Sequence, residues 1–313
     1  MDVSVLVPTW RRPEDLSRCL AGLAAQTRAP GEVVVVTRDD DAATWALLQE
    51  PRDDGLPVRA ARLARSGVVE ALRSGFELAA GRIVAITDDD SVPRPDWLER
   101  IESAFARDER LGGMGGRDFV HESGRVLDDG RPEVGRLRWY GRVVGNHHLG
   151  VGPAREVDVL KGVNMAFRRE ALAAVRLSEG LRGGGAQVHW EVDLCLAVTA
   201  AGWRLLYDPA LAVDHYPAAR FDDDQRTERS LEAVGNETFN LTYVLLRRLP
   251  RGRAALALGY GLLVGSREAP GLVTALERVL RGRRRPGALA ACSRARVEAL
   301  GQARTQPGRG AAA

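Results

Sequence analysis

The sequence predicts an α/β fold, a mostly parallel sheet flanked by helices, followed by a helical C-terminal extension. Three observations carry this. Short β-branched runs alternate with amphipathic stretches as strand, helix, strand, helix, strand, helix, strand, which is the order of linked βαβ units. One run, 32–37, holds four consecutive valines, as expected of a strand buried on both faces of a parallel sheet. Two runs end in acids, Asp39, Asp40 and Asp41 in one case and Asp88, Asp89 and Asp90 in the other. Parallel strands present their carboxyl ends on one side, where open α/β sheets bind ligands.

Residues 3–7 form the first strand, which Pro8 and Thr9 end. Pro13 suits a first helical position, and Glu14 and Asp15 complement the helix dipole. Leu16, Cys19, Leu20 and Leu23 follow the i, i+3, i+4, i+7 spacing of one helix face, so a helix is expected over 13–27. Pro30-Gly31 turns the chain into the valine strand, and after Asp41 a helix runs to about residue 49. A weaker strand spans 58–63. Val68, Val69, Leu72, Phe76 and Leu78 mark the next helix, and 83–87 form a strand leading into Asp88. Trp97, Leu98, Ile101 and Phe105 give an amphipathic helix over 95–106, and the glycine-rich 111–116 reads as a strand.

Residues 117–156 are polar and read as irregular; His147 and His148 within them read as loop residues, since neighbouring side chains rarely ligate one ion. Residues 157–163 lead into the stretch from Gly162 to Arg169, a short helix at 170–175 follows, and Gly183-Gly184-Gly185 breaks the chain. A helix starts near His189 and Gly202 ends it. Strands at 204–207 and 210–213, split by an Asp208-Pro209 turn, deliver Asp214 and His215.

The C-terminal part changes character. A helix over 230–249 is flanked by Arg247, Arg248, Arg251 and Arg253, the apolar 254–264 is too short to span a bilayer, and 281–285 is strongly basic. Apolar helices beside clustered arginines fit an interfacial membrane attachment. The other reading is helices packed on the preceding domain with a solvated basic tail. Residues 301–313 are low in complexity and expected to be disordered.

Composition bounds the function. The 313 residues are 45% hydrophobic and 28% charged, and a net charge of +3 is too small to argue for nucleic acid. Cys19, Cys195 and Cys292 are far apart and lack metal spacing, which suggests buried thiols in a reducing compartment. The N-terminus enters a strand within a few residues and shows no signal-peptide pattern. Three adjacent carboxylates repel one another and are costly to bury together. A cation among Asp88, Asp89 and Asp90 offsets that cost, and hard oxygen ligands suit Mg²⁺ or Mn²⁺ shared with a substrate's phosphates. A solvated acidic turn is the alternative.

Taken in order, these pieces resemble glycosyltransferase family 2, inverting enzymes with a GT-A fold, over about residues 1–220. Val5-Leu6-Val7-Pro8-Thr9-Trp10-Arg11-Arg12-Pro13 resembles the opening strand and nucleotide-binding turn. Thr87-Asp88-Asp89-Asp90-Ser91-Val92-Pro93 resembles the DxD motif, and Gly162-Val163-Asn164-Met165-Ala166-Phe167-Arg168-Arg169 the acceptor-side strand and helix. Glu191-Val192-Asp193-Leu194-Cys195-Leu196, Ala201-Gly202-Trp203 and Tyr207-Asp208-Pro209 resemble the closing segment.

The resemblance implies a nucleotide-sugar-binding half over 1–110, an acceptor-binding half over 111–220, a helical extension over 221–300 and a tail from 301. It places Pro8, Thr9, Arg11, Asp39, Arg73, Asp88 and Asp89 at the nucleotide sugar. Asp88 and Asp90, with the late His215, fall to Mg²⁺ or Mn²⁺. Glu191 falls to the catalytic base, with Asp193 as the alternative. Three departures stand out. Thr37-Arg38-Asp39-Asp40-Asp41 replaces the usual Asp-Asp-Gly-Ser, Arg73 stands where Asn is usual, and the usual Glu-Asp pair reads Trp190-Glu191.

The implied activity is metal-dependent, inverting transfer from a nucleotide-diphosphate sugar to a hydroxyl of a saccharide, lipid-linked or other acceptor. The implied setting is cell-surface polysaccharide or glycoconjugate synthesis, in the cytoplasm or at the inner face of the cell membrane. Nucleic acid is not an expected partner; peripheral membrane contact through the C-terminal helices is. The changed Trp190-Glu191 and Arg73 positions keep open a catalytically inactive sugar-nucleotide-binding or scaffold protein. A sugar nucleotidyltransferase fits less well, because Pro8-Thr9-Trp10 lacks the glycine-rich basic loop of that class.

Overall fold

A computed structural model describes residues 2–219, 221, 230–283 and 285–305. The chain divides into two compact units. The first comprises Met1–Arg136, Val144–Arg176 and Ala197–Ala218; the second comprises Leu137–Val143, Leu177–Leu196 and Ala219–Ala313.

The first unit opens with the expected alternation. It runs β1 (Val3–Pro8), α1 (Pro13–Ala24), β2 (Glu32–Arg38), α2 (Ala42–Gln49), β3 (Val58–Leu63), α3 (Val68–Leu78) and β4 (Ile83–Thr87). These four strands are mutually parallel, in the order β4-β1-β2-β3. Val33, Val34, Val35 and Val36 are fully buried, and the spacing in α1 buries Leu16, Cys19, Leu20 and Leu23. The chain continues through β5 (Ser91–Pro93), α4 (Trp97–Arg107), β6 (Leu111–Glu122), the two-residue strands β7 (Arg125–Val126), β8 (Arg136–Leu137), β9 (Val143–Val144) and β10 (Arg155–Glu156), then β11 (Asn164–Arg168) and α5 (Arg169–Ala173). Helix α6 (Trp190–Ala200) and β12 (Arg204–His215) follow. The main sheet path is β10-β12-β6-β11-β4-β1-β2-β3. Strand β11 runs antiparallel to both β4 and β6, and β12 runs parallel to β6.

Two expectations need correction. Residues 117–156 are not uniformly irregular, because β6 continues to Glu122, paired with β12 as far as Val120 and with β7 over His121 and Glu122. The strands expected at 204–207 and 210–213 are one strand, β12, with a register shift between Asp208 and Ala212 where a turn was expected. Gly116 on β6, opposite the shift, permits this bulge: a Cβ there would fall 1.7 Å from the Leu211 carbonyl oxygen. Asn164 ties the strands together. Its side-chain amide donates to the carbonyls of Arg117 and Leu211, while its oxygen accepts from the Trp97 indole.

The second unit is helical. Ser230 caps α7 (Leu231–Arg248), and α8 (Arg251–Leu263), α9 (Leu272–Leu280) and α10 (Ala288–Thr305) follow. Val234, Phe239, Tyr243 and Val244 of α7 and Cys292, Ala295 and Ala299 of α10 are buried. The tail expected to be disordered from Gly301 is helical as far as Thr305; 306–313 lie outside the described residues. Among the described residues, no helix is long and apolar enough to cross a membrane. Three of the arginines that suggested a lipid surface make contacts inside this unit. Arg248 pairs with Asp193, Arg253 donates to the carbonyls of Leu137 and Arg138, and Arg247 lies 5.3 Å from the Tyr243 ring centroid.

Candidate metal and nucleotide site

The turn after β4 is fixed by its own hydroxyls. Thr87 donates to the Val163 carbonyl and Ser91 to the Asp88 carbonyl, each at 2.9 Å. Strand β5 then pairs antiparallel with the end of β12, which sets His215 opposite Ser91 and beside Asp90. The Tyr216 amide donates to the Asp90 carbonyl at 2.8 Å, and the Ala218 amide to Asp90 Oδ2 at 2.9 Å. Asp90 is therefore held at a defined place.

One ligand atom each of Asp88, Asp90 and His215 lies within 4.8 Å of the other two. Asp90 and His215 are buried, and Asp88 is half-buried. His215 Nε2 lies 3.3 Å from Asp90 Oδ1 and is a buried atom without a hydrogen-bond partner. On its other side, His215 Nδ1 meets Asp118 Oδ2 at 3.2 Å. Asp118 is fully buried on β6 and also takes Lys161. Two hard carboxylates and one imidazole, with its buried Nε2 unpartnered, gathered this closely fit a small divalent cation.

Charge in the cluster follows from these contacts. Burial alone would lower His215, but Asp118 and Asp90 outweigh it and hold the imidazole up at about 9. Burial would raise Asp90, but His215, the Ala218 amide and Arg12 hold it at about 2.

Asp89 has a separate task. It accepts from Thr9 Oγ1 at 2.7 Å and from Arg12 at 2.9 Å, so it joins the end of β1 to the end of β4. Burial pushes its carboxyl up to about 7, with Arg12 acting in the opposite direction. Arg12 also lies 3.8 Å from Asp90 Oδ2.

The remaining nucleotide candidates of this unit lie around the carboxyl ends of β1 and β2 and on α3. Pro8 closes β1, and Arg11, in the left-handed region at φ 58°, is exposed and stacks 4.6 Å from the Trp10 ring centroid. Arg38 covers the same ring at 3.6 Å. Asp41 caps α2, accepting from the Thr44 amide and the Thr37 and Thr44 hydroxyls, and is buried. Asp39 and Asp40 remain exposed, Asp39 lying 3.6 Å from Arg62. Arg73 is exposed on α3, 3.8 Å from Glu70.

In the second unit, the entry to α6 is strained: Gln187 and His189 both have positive φ, at 41° and 79°. Glu191 is half-buried in the first helical turn. Asp193 is fully buried and accepts from the Ser178 amide at 2.7 Å, the Ser178 hydroxyl at 3.0 Å and Arg248 Nε at 2.7 Å.

The structure thus brings Asp88, Asp90 and His215 together, with Thr9 and Asp89 alongside. Sequence reasoning missed Asp118, Lys161 and the role of Arg12. Arg12 stands in the opening motif, where a cation beside a turn is a usable signal. Asp118 and Lys161 are 43 positions apart and carry none.

A family profile described as "Glycosyltransferase like family 2" matches residues 1–237. A glucosyl-dolichyl phosphate glucuronosyltransferase of Haloferax volcanii is 27% identical over 225 residues, 69% of each chain. Glycosyltransferase AglE of the same organism is 23% identical over 268 residues, 84% of this chain and 80% of its own. The mannosyltransferase PcManGT of Pyrobaculum calidifontis, solved with GDP-Man and Mn²⁺, superposes with a TM-score of 0.55 at 18% identity, covering 97% of this chain and 86% of its own. S. aureus TarS 1–349, solved with UDP-GlcNAc, gives 0.58 at 16% identity, with 98% and 93% covered. At these identities the two structures show a shared fold.

Proposed function

The chain belongs to glycosyltransferase like family 2 and is a glycosyltransferase of GT-A fold; we propose that it is a metal-dependent, inverting one that uses a nucleotide-diphosphate sugar and transfers to an acceptor hydroxyl. The observation that carries this reading is the convergence of Asp88, Asp90 and His215 beyond β4, with the buried His215 Nε2 lacking a hydrogen-bond partner. Mg²⁺ or Mn²⁺ held by these three residues would supply Lewis-acid stabilisation of the departing diphosphate.

The chain's own groups prepare that step. Asp118 accepts from His215 Nδ1, which leaves Nε2 aimed at the ligand position, as outer-shell carboxylates do for metal-binding histidines. Lys161 offsets the buried charge of Asp118. Thr9 and Arg12 hold Asp89, and through it the turn that carries Asp88 and Asp90. Pro8, Arg11, Asp39 and Arg73 are assigned to the nucleotide, with Asp40 beside them; Asp41 is taken by its cap.

Attack by the acceptor needs a single base, and one displacement inverts the anomeric centre. We assign the base to Glu191 on its place in the closing motif. The contacts of Asp193 favour a structural role, since both its oxygens are engaged by Ser178 and Arg248. The relative named for glucosyl-dolichyl phosphate favours a lipid-linked saccharide as acceptor class, in cell-surface glycoconjugate or polysaccharide synthesis. Three buried, free cysteines fit a cytoplasmic setting.

A panel of UDP- and GDP-sugars, incubated without acceptor, tests the reading through release of nucleoside diphosphate. At least one donor should be hydrolysed with Mn²⁺, lose that turnover in EDTA and regain it when Mn²⁺ is restored. Equal turnover in EDTA would overturn metal dependence.

A further inference from the structure

We propose that α9 is a membrane-docking helix that lies in the headgroup region of an anionic bilayer. This goes beyond the transfer reaction and does not depend on it. Leu272, Val273, Leu276, Val279 and Leu280 are 43–79% exposed, and α9 has no buried residue. At helical spacing they fall in one stripe roughly 120° wide. The helix is about 14 Å long, far too short to span a bilayer but suited to lying on one. Five large apolar side chains in water on one short helix call for a cover.

Charge identifies the cover. Residues 265–287 contain six arginines and two glutamates. Arg281, one of the arginines, pairs with Glu277 across one helical turn at 2.9 Å. An apolar stripe with basic flanks is the composition of an interfacial helix, and each arginine near the surface is drawn to acidic headgroups. A second copy of this chain would bring the same positive flanks against themselves.

The helix is also presented rigidly. Arg296, buried on α10, donates to the carbonyls of Pro270 and Ala269 at 3.1 and 2.8 Å, and Thr274 donates to the Val264 carbonyl at 2.7 Å. The entry to α9 is thus pinned within its own unit while its apolar stripe stays outside. The arginines of α7 and the start of α8 that turn inward do not compete for this role.

The test is flotation of the full-length protein with vesicles of phosphatidylcholine alone or mixed with phosphatidylglycerol. The wild type should float with the anionic vesicles, float poorly with phosphatidylcholine, and lose flotation at 0.5 M salt, about three-fold beyond physiological ionic strength. The double variant Leu272→Asp/Leu276→Asp should lose anionic flotation by more than about tenfold, with unchanged melting temperature and unchanged donor hydrolysis. Arg281→Ser/Arg283→Ser should weaken flotation in low salt. Wild type that stays unbound to anionic vesicles overturns the proposal, as does a double-aspartate variant that floats like wild type. A dimer seen by light scattering, dissolved by the double variant, with no wild-type flotation, assigns the stripe to a second copy and also overturns it.

Discussion

Glu191 and Asp193 stand two positions apart at the start of one helix, and their surroundings give them different expected phenotypes. Asp193 is fully buried between Ser178 and Arg248. Asp193→Asn removes the buried carboxylate charge that Ser178 and Arg248 hold and is expected to cost about 3–5 kcal/mol of stability, visible as a lowered melting temperature. Glu191→Gln should leave melting and donor affinity unchanged and lower kcat by roughly 10²–10⁴-fold. A stable, inactive Asp193→Asn beside an active Glu191→Gln would move the base to Asp193. At this scale Asp88 and Asp90, the proposed cation ligands, stood out because adjacent acids at a strand end are rare without a reason. Asp118 did not, since it meets His215 across 97 positions and no local spacing records that contact.

Among the elements, those built on local pattern were readable: the valine run of β2, the i, i+3, i+4 face of α1, and the strand–acid junction after β4. The length of β6 and the continuity of β12 were not. Both depend on pairing to each other through a bulge at Gly116, which only the folded register reveals. The same strand pair brings a pH-sensitive group into the interior. His147 is buried in a single-turn helix, with Nε2 meeting the Val159 carbonyl at 2.9 Å. Burial, with Lys161 adding to it, pushes its imidazole down to about 4. An unfolded chain takes up this proton near pH 6.5 while the folded one resists until about pH 4. Stability is therefore lost as pH falls through that window, by up to roughly 3 kcal/mol. Urea unfolding at pH 7.5 and pH 5 should show the loss in wild type and a smaller loss in His147→Gln. An equal loss in both would remove His147 from the account.

On the scale of the whole molecule, the two units interleave along the chain. The second gathers Leu137–Val143 and Leu177–Leu196 with everything from Ala219 onward. Local composition carries no mark of that interleaving, because hydrophobic periodicity specifies a face and not its partner. The first unit, by contrast, carries the main sheet and the proposed cation ligands, which are residues the sequence already singled out. The most direct measurement of that chemistry is calorimetric titration of UDP and GDP into wild type and Asp90→Asn, each with and without Mn²⁺. Wild type should bind one of the two much more tightly with Mn²⁺, and Asp90→Asn should lose that metal-dependent gain. Equal affinity of the variant and the wild type in Mn²⁺, or a wild type indifferent to the metal, would contradict the assignment of Asp88, Asp90 and His215 as a cation site.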